Sequence, residues 1–398
     1  MSLDDTTEVR PGRLRRPPLV SHAVALAVTS LLAGACRADP KDAAARADAG
    51  STGTVSSRTS PSSPTVDRPR PAAVGRRDAP LSLPEVVGAI SPAEAARRLP
   101  SHESAAVYLI DRGVAPRVPL RYSVPAGNTP QRLTVEVQTA MSVRDGDATE
   151  EVPVPAIAVA VDVVMTPAVH GGARIDATVA SVAMSRRQPG DAAPGQDPPA
   201  ARIAATLKGA TATMGLSPRG VFTPPPPDPS PAARAQRQLL ASVWAALADG
   251  FVIAPGASIG DGAQWESLSR RRRAGAMLLR LERVRWQRDK GREGGQARVE
   301  VREVAISGPA RDVDGKVVTH RTQSGIALGK RLVTQELGFF WPVASTGELA
   351  TDLVFDLTAP GAPTSARRTA IQLTEVVRLG RGGLDAAGVE GQSPRHGR

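Results

Sequence analysis

The stretch RLTVEVQTAMSV, residues 132–143, decides the fold class of this chain. Its apolar residues Leu133, Val135, Val137 and Val143 occupy alternate positions, and most of the residues between them are polar. Side chains on a strand point alternately to the two faces, so the pattern predicts a β-strand with one face in a core and the other in solvent.

Strand patterns recur on both sides of a single long helical pattern. AIAVAVDVV (156–164) and ARIDATVASVAM (173–184) precede the proline-rich breaker TPPPPDPSP (223–231), and GAMLLRLERVRWQRDKG (275–291) follows the helix. Between the breaker and Gly250, apolar residues recur at helical spacing, which predicts a packed helix over about 231–248. A shorter helix is expected to begin after Ser91, a good N-cap, with Pro92 at its first position.

These patterns predict a mainly β (α+β) fold with one central helix. We expect a single domain over 81–382, a strongly curved antiparallel sheet or barrel-like wrap, in two strand-rich halves over about 104–222 and 255–380. Because few long helices alternate with strands, the pattern disfavours a doubly wound parallel sheet. Residues 383–398 are expected to be a flexible tail.

The N-terminal segment predicts export and lipid attachment. Residues 1–35 combine a basic start with an uncharged apolar run, as a secretory signal peptide does. The run ends in Leu32-Ala33-Gly34-Ala35-Cys36, which resembles a bacterial lipobox and implies lipid attachment at Cys36, the only cysteine. Arg37, where inner-membrane lipoproteins carry Asp, implies the outer membrane, facing the periplasm. The alternative is an ordinary signal peptide with an incidental cysteine.

Residues 36–80 predict a disordered tether. They are rich in Ser, Thr, Pro and Ala and hold little that is large enough to bury. A plain spacer is the simplest interpretation, and a glycosylated or partner-binding stalk is the alternative.

The net charge of +11 does not indicate nucleic acid. Only 5 of the 50 basic residues are lysine, a bias typical of GC-rich bacterial genes. In an exported protein, a basic surface suits anionic lipid or envelope polysaccharide better. The densest basic run comprises Arg270, Arg271, Arg272 and Arg273. We interpret it as the solvated face of a β-hairpin, with contact to an anionic surface as the sharper alternative.

PGASIGDGAQWE, residues 255–266, is rich in glycine but does not form a phosphate-binding motif. It has no Gly-Lys-Ser/Thr, and Trp265 stands where a dinucleotide fingerprint has its third glycine. We interpret it as a tight turn in which Gly260 and Gly262 allow positive φ and Trp265 folds back onto the core. The turn motif is therefore Pro255, Gly260, Gly262 and Trp265.

This motif, Pro-x-x-x-x-Gly-x-Gly-x-x-Trp, resembles one in an uncharacterised family of bacterial envelope lipoproteins, a domain of unknown function. GLSPRGVF, residues 215–222, resembles a second stretch that these proteins carry upstream of their central helix. The resemblance would cover most of residues 104–380. It implies an architecture and an envelope location, and it implies no reaction.

Sequence motifs for catalysis, metals or cofactors are missing. No histidine has a second ligand at metal-binding spacing, and no nucleophile elbow occurs. We therefore expect no enzyme activity, no cofactor and no metal, with an envelope hydrolase as a distant alternative. Phe339, Phe340 and Trp341 are consecutive, and a strand cannot bury all three on one face. They are candidate contacts for an apolar ligand or partner.

Two functional hypotheses follow. The first is a non-catalytic envelope binding module that holds a hydrophobic ligand or a protein partner. The second is a structural or assembly lipoprotein with a filled core and no ligand. An interior cavity of several hundred Å³ would favour the first hypothesis.

Overall fold

A computed structural model of the chain has a mainly β fold, as predicted. It describes residues 74–84, 88–122, 124, 130–152, 154, 156–168, 171–185, 204–223, 234–289, 294–311, 317–336, 341–357 and 367–382. The strands are β1 (Val74–Arg76), β2 (Ala105–Asp111), β3 (Val114–Pro119), β4 (Gln131–Asp145), β5 (Ala148–Val152), β6 (Ala156–Pro167), β7 (Ala173–Ser185), β8 (Thr211–Leu216), β9 (Phe222–Thr223), β10 (Ser258–Asp261), β11 (Gln264–Arg273), β12 (Ala276–Arg288), β13 (Gly294–Ala305), β14 (Gly308–Arg311), β15 (Val317–Glu336), β16 (Ala344–Leu357) and β17 (Arg367–Arg381).

Two helices longer than one turn occur among the described residues. Helix α1 (Pro92–Arg98) begins where predicted, because the Ser91 hydroxyl accepts a hydrogen bond from the Glu94 N–H at 3.1 Å. Helix α2 (Arg234–Asp249) is the predicted central helix, and its expected first residues, 231–233, lie outside the described part of the chain. A helical turn over 204–207 also occurs.

In the part of the chain that the structure describes, fifteen strands form one sheet that does not close. Its order is β1-β2-β11-β12-β13-β15-β16-β17-β4-β6-β7-β8-β9, with β14 beside β15 and β5 beside β4, and β10 and β3 form a separate pair. Neighbouring strands are antiparallel except for β1 and β2, which run parallel.

The two predicted halves are interleaved within this sheet. Strand β2, from the first half, pairs with β11 of the second half, and β17 pairs with β4. The later strands therefore occupy the middle of the sheet, between two groups of earlier strands. The helix separates the halves along the chain and does not separate them in space.

The two ends of the sheet are in contact through Arg219. This residue lies in the turn between β8 and β9, and its Nη1 donates to the carbonyl of Val74 in β1 at 3.1 Å. A flat sheet of thirteen strands spaced about 4.8 Å apart would separate its end strands by nearly 60 Å. The contact shows that the sheet is not flat. The strong curvature expected from the sequence stays a prediction.

Helix α2 packs on one face of the sheet, here called the inner face. Val243, Trp244 and Leu247 of α2 join Val135 of β4 and Leu379 of β17 in one apolar cluster. A second inner cluster centres on Trp265 and Trp286, and a third holds Leu353 and Phe355. Part of the outer face of β2, β11, β12 and β13 is covered by residues 81–83 and 90–99, including α1.

The start of the domain differs from the prediction. Strand β1 lies within residues 36–80, which the sequence assigns to a tether. Three residues are too short to show an alternating pattern, and their partner in the sheet, β2, is distant in sequence. The adjacent Arg77 is also bound, because it pairs with Glu103.

Candidate functional site

The two glycines of the turn motif are required for different reasons. Gly262 has φ +76° and open space around it, so glycine is required there by the backbone conformation and not by a lack of space, as predicted. Gly260 does not have a positive φ, which corrects the expectation for that residue. A Cβ at Gly260 would instead collide with the carbonyl oxygen of Val114 in β3, because the two backbones lie in close contact there. The Gly260 N–H holds this contact by donating a hydrogen bond to the Arg112 carbonyl at 2.7 Å.

Trp265 of the turn motif is fully buried in the second inner cluster. Its indole Nε1 donates to the Ile253 carbonyl at 2.8 Å, so the polar end of the ring is satisfied inside the core. This is the position expected of a core residue that fixes the turn.

Arg219 connects the turn motif to GLSPRGVF. Its Nε donates to Ala254, its Nη2 to Pro255 and its Nη1 to Val74, each to a carbonyl at 3.1 Å. Burial lowers the pKa of this guanidinium from its ordinary value. The turn motif and GLSPRGVF therefore meet in space, where the two ends of the sheet are in contact. Sequence reasoning did not single out Arg219.

Tyr122 supports the same junction. Its hydroxyl donates to the Val252 carbonyl at 2.9 Å and accepts from the Val252 N–H at 3.1 Å. Burial raises the pKa of the phenol well above its usual range, with a smaller opposing effect of the hydrogen bond to Val252. Tyr122 is therefore a neutral structural group at physiological pH.

A layer of charged side chains crosses the inner face between the second and third apolar clusters. Along β12 the inward positions run from Leu278 through Arg280 and Glu282 to Val284. The layer, here called the charge layer, comprises Asp249, Arg271, Arg273, Arg280, Glu282, Glu303, Arg331 and Glu375. Four arginines thus face four carboxylates.

Arg280 is the centre of the charge layer. Its Nε donates to Glu303 at 2.6 Å, and its Nη1 and Nη2 donate to the two carboxylate oxygens of Asp249 at 2.5 and 3.3 Å. Arg331 donates to Glu282 at 2.9 Å. Asp249 is the last residue of α2, so this network joins the helix end to the sheet.

The charge layer is poorly suited to proton transfer. Burial acts to raise the pKa of Asp249 and Glu303, but nearby guanidiniums, Arg280 above all, outweigh it and hold both pKa values below their ordinary range. A general acid or base works best with a pKa near the operating pH. These carboxylates are therefore fixed as anions that compensate the arginines.

The predicted run of four arginines does not form one solvated face, which corrects the hairpin interpretation. Arg271 and Arg273 point inward into the charge layer, and Arg270 donates to the backbone carbonyls of residues 99, 100 and 103. Arg272 is exposed. The contact of these residues with an anionic surface stays a prediction.

Trp341 is the one member of the aromatic triplet within the described residues. It is fully buried, and its ring centroid lies 5.0 Å from that of Phe251. Phe339, Phe340 and Cys36 lie outside the described residues.

A small cavity lies on the inner face beside the charge layer. The cavity beside the charge layer, lined by Arg273, Arg280, Arg331 and Ser345 among others, has a volume of about 30 Å³, which suits a single water molecule. A larger groove of about 570 Å³ lies on the outer face, between residues 82–83 and strand β15. Leu83 and Leu281 line it, together with Leu328, which is 58% exposed.

Within the described ranges, no three His, Cys, Asp or Glu side chains are grouped so that they could hold a metal ion. The helices found there are also too short or too polar to cross a membrane.

No protein-family model and no curated protein matches the chain. Among solved structures, OccAB2 of Acinetobacter baumannii is 6% identical, with a TM-score of 0.17 over 65% of this chain and 100% of that one. OpdK of Pseudomonas aeruginosa, solved with vanillate, is 8% identical, with a TM-score of 0.14 over 63% of this chain and 98% of that one. Likenesses of this size carry no argument about function.

Proposed function

We propose that this protein is a non-catalytic lipoprotein of the bacterial cell envelope that acts through its outer surface and carries no ligand inside its sheet. The filled inner face is the observation that supports this proposal. It favours the structural or assembly hypothesis over an interior carrier.

The filling is both apolar and ionic. Trp265, Trp341 and the three apolar clusters occupy most of the inner face. The charge layer lies between the second and third clusters, and the cavity beside it measures about 30 Å³, whereas pockets for small molecules commonly measure about 300–1,000 Å³. A lipid or similar apolar ligand would have to displace buried ion pairs to enter.

The charge layer also supports a structural role. Buried charges that lose a partner are costly, so the network disfavours any conformation that moves α2 away from the sheet. A carrier that opens to admit a ligand would break these contacts on each cycle.

The attachment to the membrane rests on Cys36. Residues 36–73 separate it from β1, and a flexible chain of that length has a typical end-to-end distance of about 30–37 Å. The domain would thus remain close to the outer membrane, on its periplasmic side.

The proposal is tested by native purification from membranes followed by mass spectrometry. We expect the polypeptide cut before Cys36, with covalent lipid and no stoichiometric apolar ligand. A non-covalent lipid or other apolar molecule that stays bound to the folded protein at one equivalent would contradict the filled-interior argument.

The outer groove supports a second candidate, a binding module for a hydrophobic ligand or protein partner. Its volume of about 570 Å³ and the exposed Leu328 are the observations that favour it. If a ligand or partner co-purifies and Leu328→Asp releases it while the melting temperature is unchanged, the groove is the site and the second candidate takes the place of the first.

A further inference from the structure

One edge of the molecule combines exposed arginines with exposed aliphatic side chains. Strand β2 ends there at Asp111, and a tight connection leads into β3. Val114 is 71% exposed and Ile110 is 50% exposed, and Arg112 and Arg117 are exposed beside them.

The basic character of this edge continues across the sheet on the outer face. Arg285 of β12 lies directly opposite Arg298 of β13, and both are exposed. Arg298 in turn lies opposite Leu332 of β15, which is 41% exposed. We call this surface the basic rim; its members are Ile110, Arg112, Val114, Arg117, Arg285, Arg298 and Leu332.

Two like charges directly opposite on neighbouring strands destabilise a sheet. The next row on the same face shows that this chain can avoid the problem, because exposed charges of alternating sign lie opposite one another along it. That row is Arg283, Glu300, Lys330 and Glu348. The Arg285–Arg298 pair is therefore an electrostatic cost to the fold that an external anion would relieve.

Carboxylates at the same edge do not neutralise the rim. Asp111 accepts the Gly113 N–H at 2.9 Å, and Asp261 accepts the Arg288 N–H at 2.8 Å. Asp289 is the third carboxylate there, and Arg288 adds a further positive charge. The edge keeps a net positive charge with three aliphatic side chains in water.

We propose that the basic rim binds the surface of an anionic lipid bilayer, with the arginines on lipid phosphates and the aliphatic side chains in the interfacial layer. Arginine suits phosphate through its planar set of donors, and an exposed Ile or Val gains by leaving water for the acyl boundary. The aliphatic members favour a bilayer over a soluble polyanion, which offers no apolar layer. The inference extends the proposed envelope role by naming the surface that faces lipid.

The test is flotation of the full chain carrying Cys36→Ser with phosphatidylcholine vesicles that contain or lack phosphatidylglycerol. Lipid attachment is absent from every arm, so a failure of the rim and a failure of the lipoprotein proposal give separate results. We expect binding to the anionic vesicles only, and a large loss when NaCl shortens the Debye length from about 10 Å to about 3 Å.

Two variants of the rim are compared with a matched control. A basic residue near such a surface contributes about fivefold to binding, so the charge reversal Arg285→Glu should weaken it at least tenfold. The same change should leave the melting temperature equal or higher, since it creates an opposite-charge pair with Arg298. The control Arg283→Glu makes the same charge change in the neighbouring row, where Arg283 lies opposite Glu300. It should lower the melting temperature and change the affinity for vesicles by less than about threefold.

The apolar contribution is tested by Ile110→Ser combined with Val114→Ser, with Leu328→Ser as the control at an exposed leucine outside the rim. We expect the double variant alone to float poorly. Equal flotation of parent and rim variants overturns the proposal, as does equal binding to both vesicle types. If Arg285→Glu abolishes retention on heparin while the Ile110 and Val114 changes do not affect flotation, the partner is an acidic polymer and the membrane proposal is wrong.

Discussion

Replacing Arg280 with methionine removes the central cation of the charge layer while keeping a side chain of similar length. Asp249 and Glu303 would then lose hydrogen bonds of 2.5 and 2.6 Å. Breaking a buried ion pair from one side commonly costs about 3–5 kcal/mol. We expect the lower end, about 3 kcal/mol, because Arg271 and Arg273 remain 3.8 and 4.0 Å from Asp249, and Arg273 remains 3.5 Å from Glu303.

Urea melts at about pH 7 and about pH 4.5 measure the cost of Arg280→Met and its origin. In the parent, the lowered pKa values of Asp249 and Glu303 stabilise the fold above the unfolded pKa values of about 4, and this contribution is lost as the pH falls through the folded values. In the variant these folded pKa values rise, so protonation relieves the unpaired charges at about pH 4.5.

We therefore expect the difference in unfolding free energy between variant and parent to shrink on acidification. Arg285→Met, on the outer face of the same strand, is the control and should change stability by less than about 0.5 kcal/mol. A loss below about 1 kcal/mol for Arg280→Met, or a loss that is independent of pH, would refute the reasoning.

Three further predictions concern the turn motif and the lipid. Trp265→Ala should lower the unfolding free energy by about 3–5 kcal/mol in urea melts, because it removes a fully buried ring; an unchanged midpoint would show that Trp265 is not a core residue. Gly260→Ala should lower the melting temperature more than Gly262→Ala, since the added Cβ collides with the Val114 carbonyl only at Gly260, and the reverse order would contradict the two assigned causes. Cys36→Ser should abolish lipidation and move the protein to the soluble periplasmic fraction once the membranes are washed with about 1 M salt, which screens the basic rim; a variant that remains in membranes after this wash with the mature mass of the parent would disprove the lipoprotein proposal.

Local patterns in the sequence predict the elements well. The alternation in residues 132–143 corresponds to β4, where Leu133, Val135 and Val143 are buried on the inner face. The N-cap at Ser91 is equally local, because its hydroxyl bonds the N–H three residues later. Such features depend on neighbours in the chain, so a single sequence is enough to find them.

The order of the strands and the charge layer depend on residues that are far apart in sequence. Nothing in β2 specifies that it pairs with β11, more than 150 residues later. In the run of four arginines, every position carries the same residue, so the alternation of strand faces is hidden. The carboxylates that pair with Arg271 and Arg273 come from α2, β13 and β17, all distant in sequence.

One signal for the charge layer was nevertheless present in the sequence. Arg280 and Glu282 lie in phase with Leu278, Val284 and Trp286, all of which face inward. Charged residues at the alternate positions that otherwise carry buried apolar side chains are themselves predicted to be buried. They must then pair with opposite charges from other strands or helices, because a buried unpaired ion is too costly. The assumption that arginine-rich strands are solvated led to the wrong assignment.

The junction at Arg219 gives a physical reason for the two short stretches of unusual sequence. The sheet ends in strands of three and two residues, β1 and β9, and short end strands offer few backbone groups for pairing. The guanidinium of Arg219, in the β8–β9 turn, donates three hydrogen bonds to backbone carbonyls of β1 and residues 254–255. These bonds join segments that are not paired by backbone hydrogen bonds between strands. Gly220 has φ +85°, and a Cβ there would collide with the Val252 carbonyl and the Tyr122 ring, so the turn that presents Arg219 requires glycine. The residues that join the ends of the sheet are therefore constrained both by backbone conformation and by hydrogen bonds, which gives this junction a structural role.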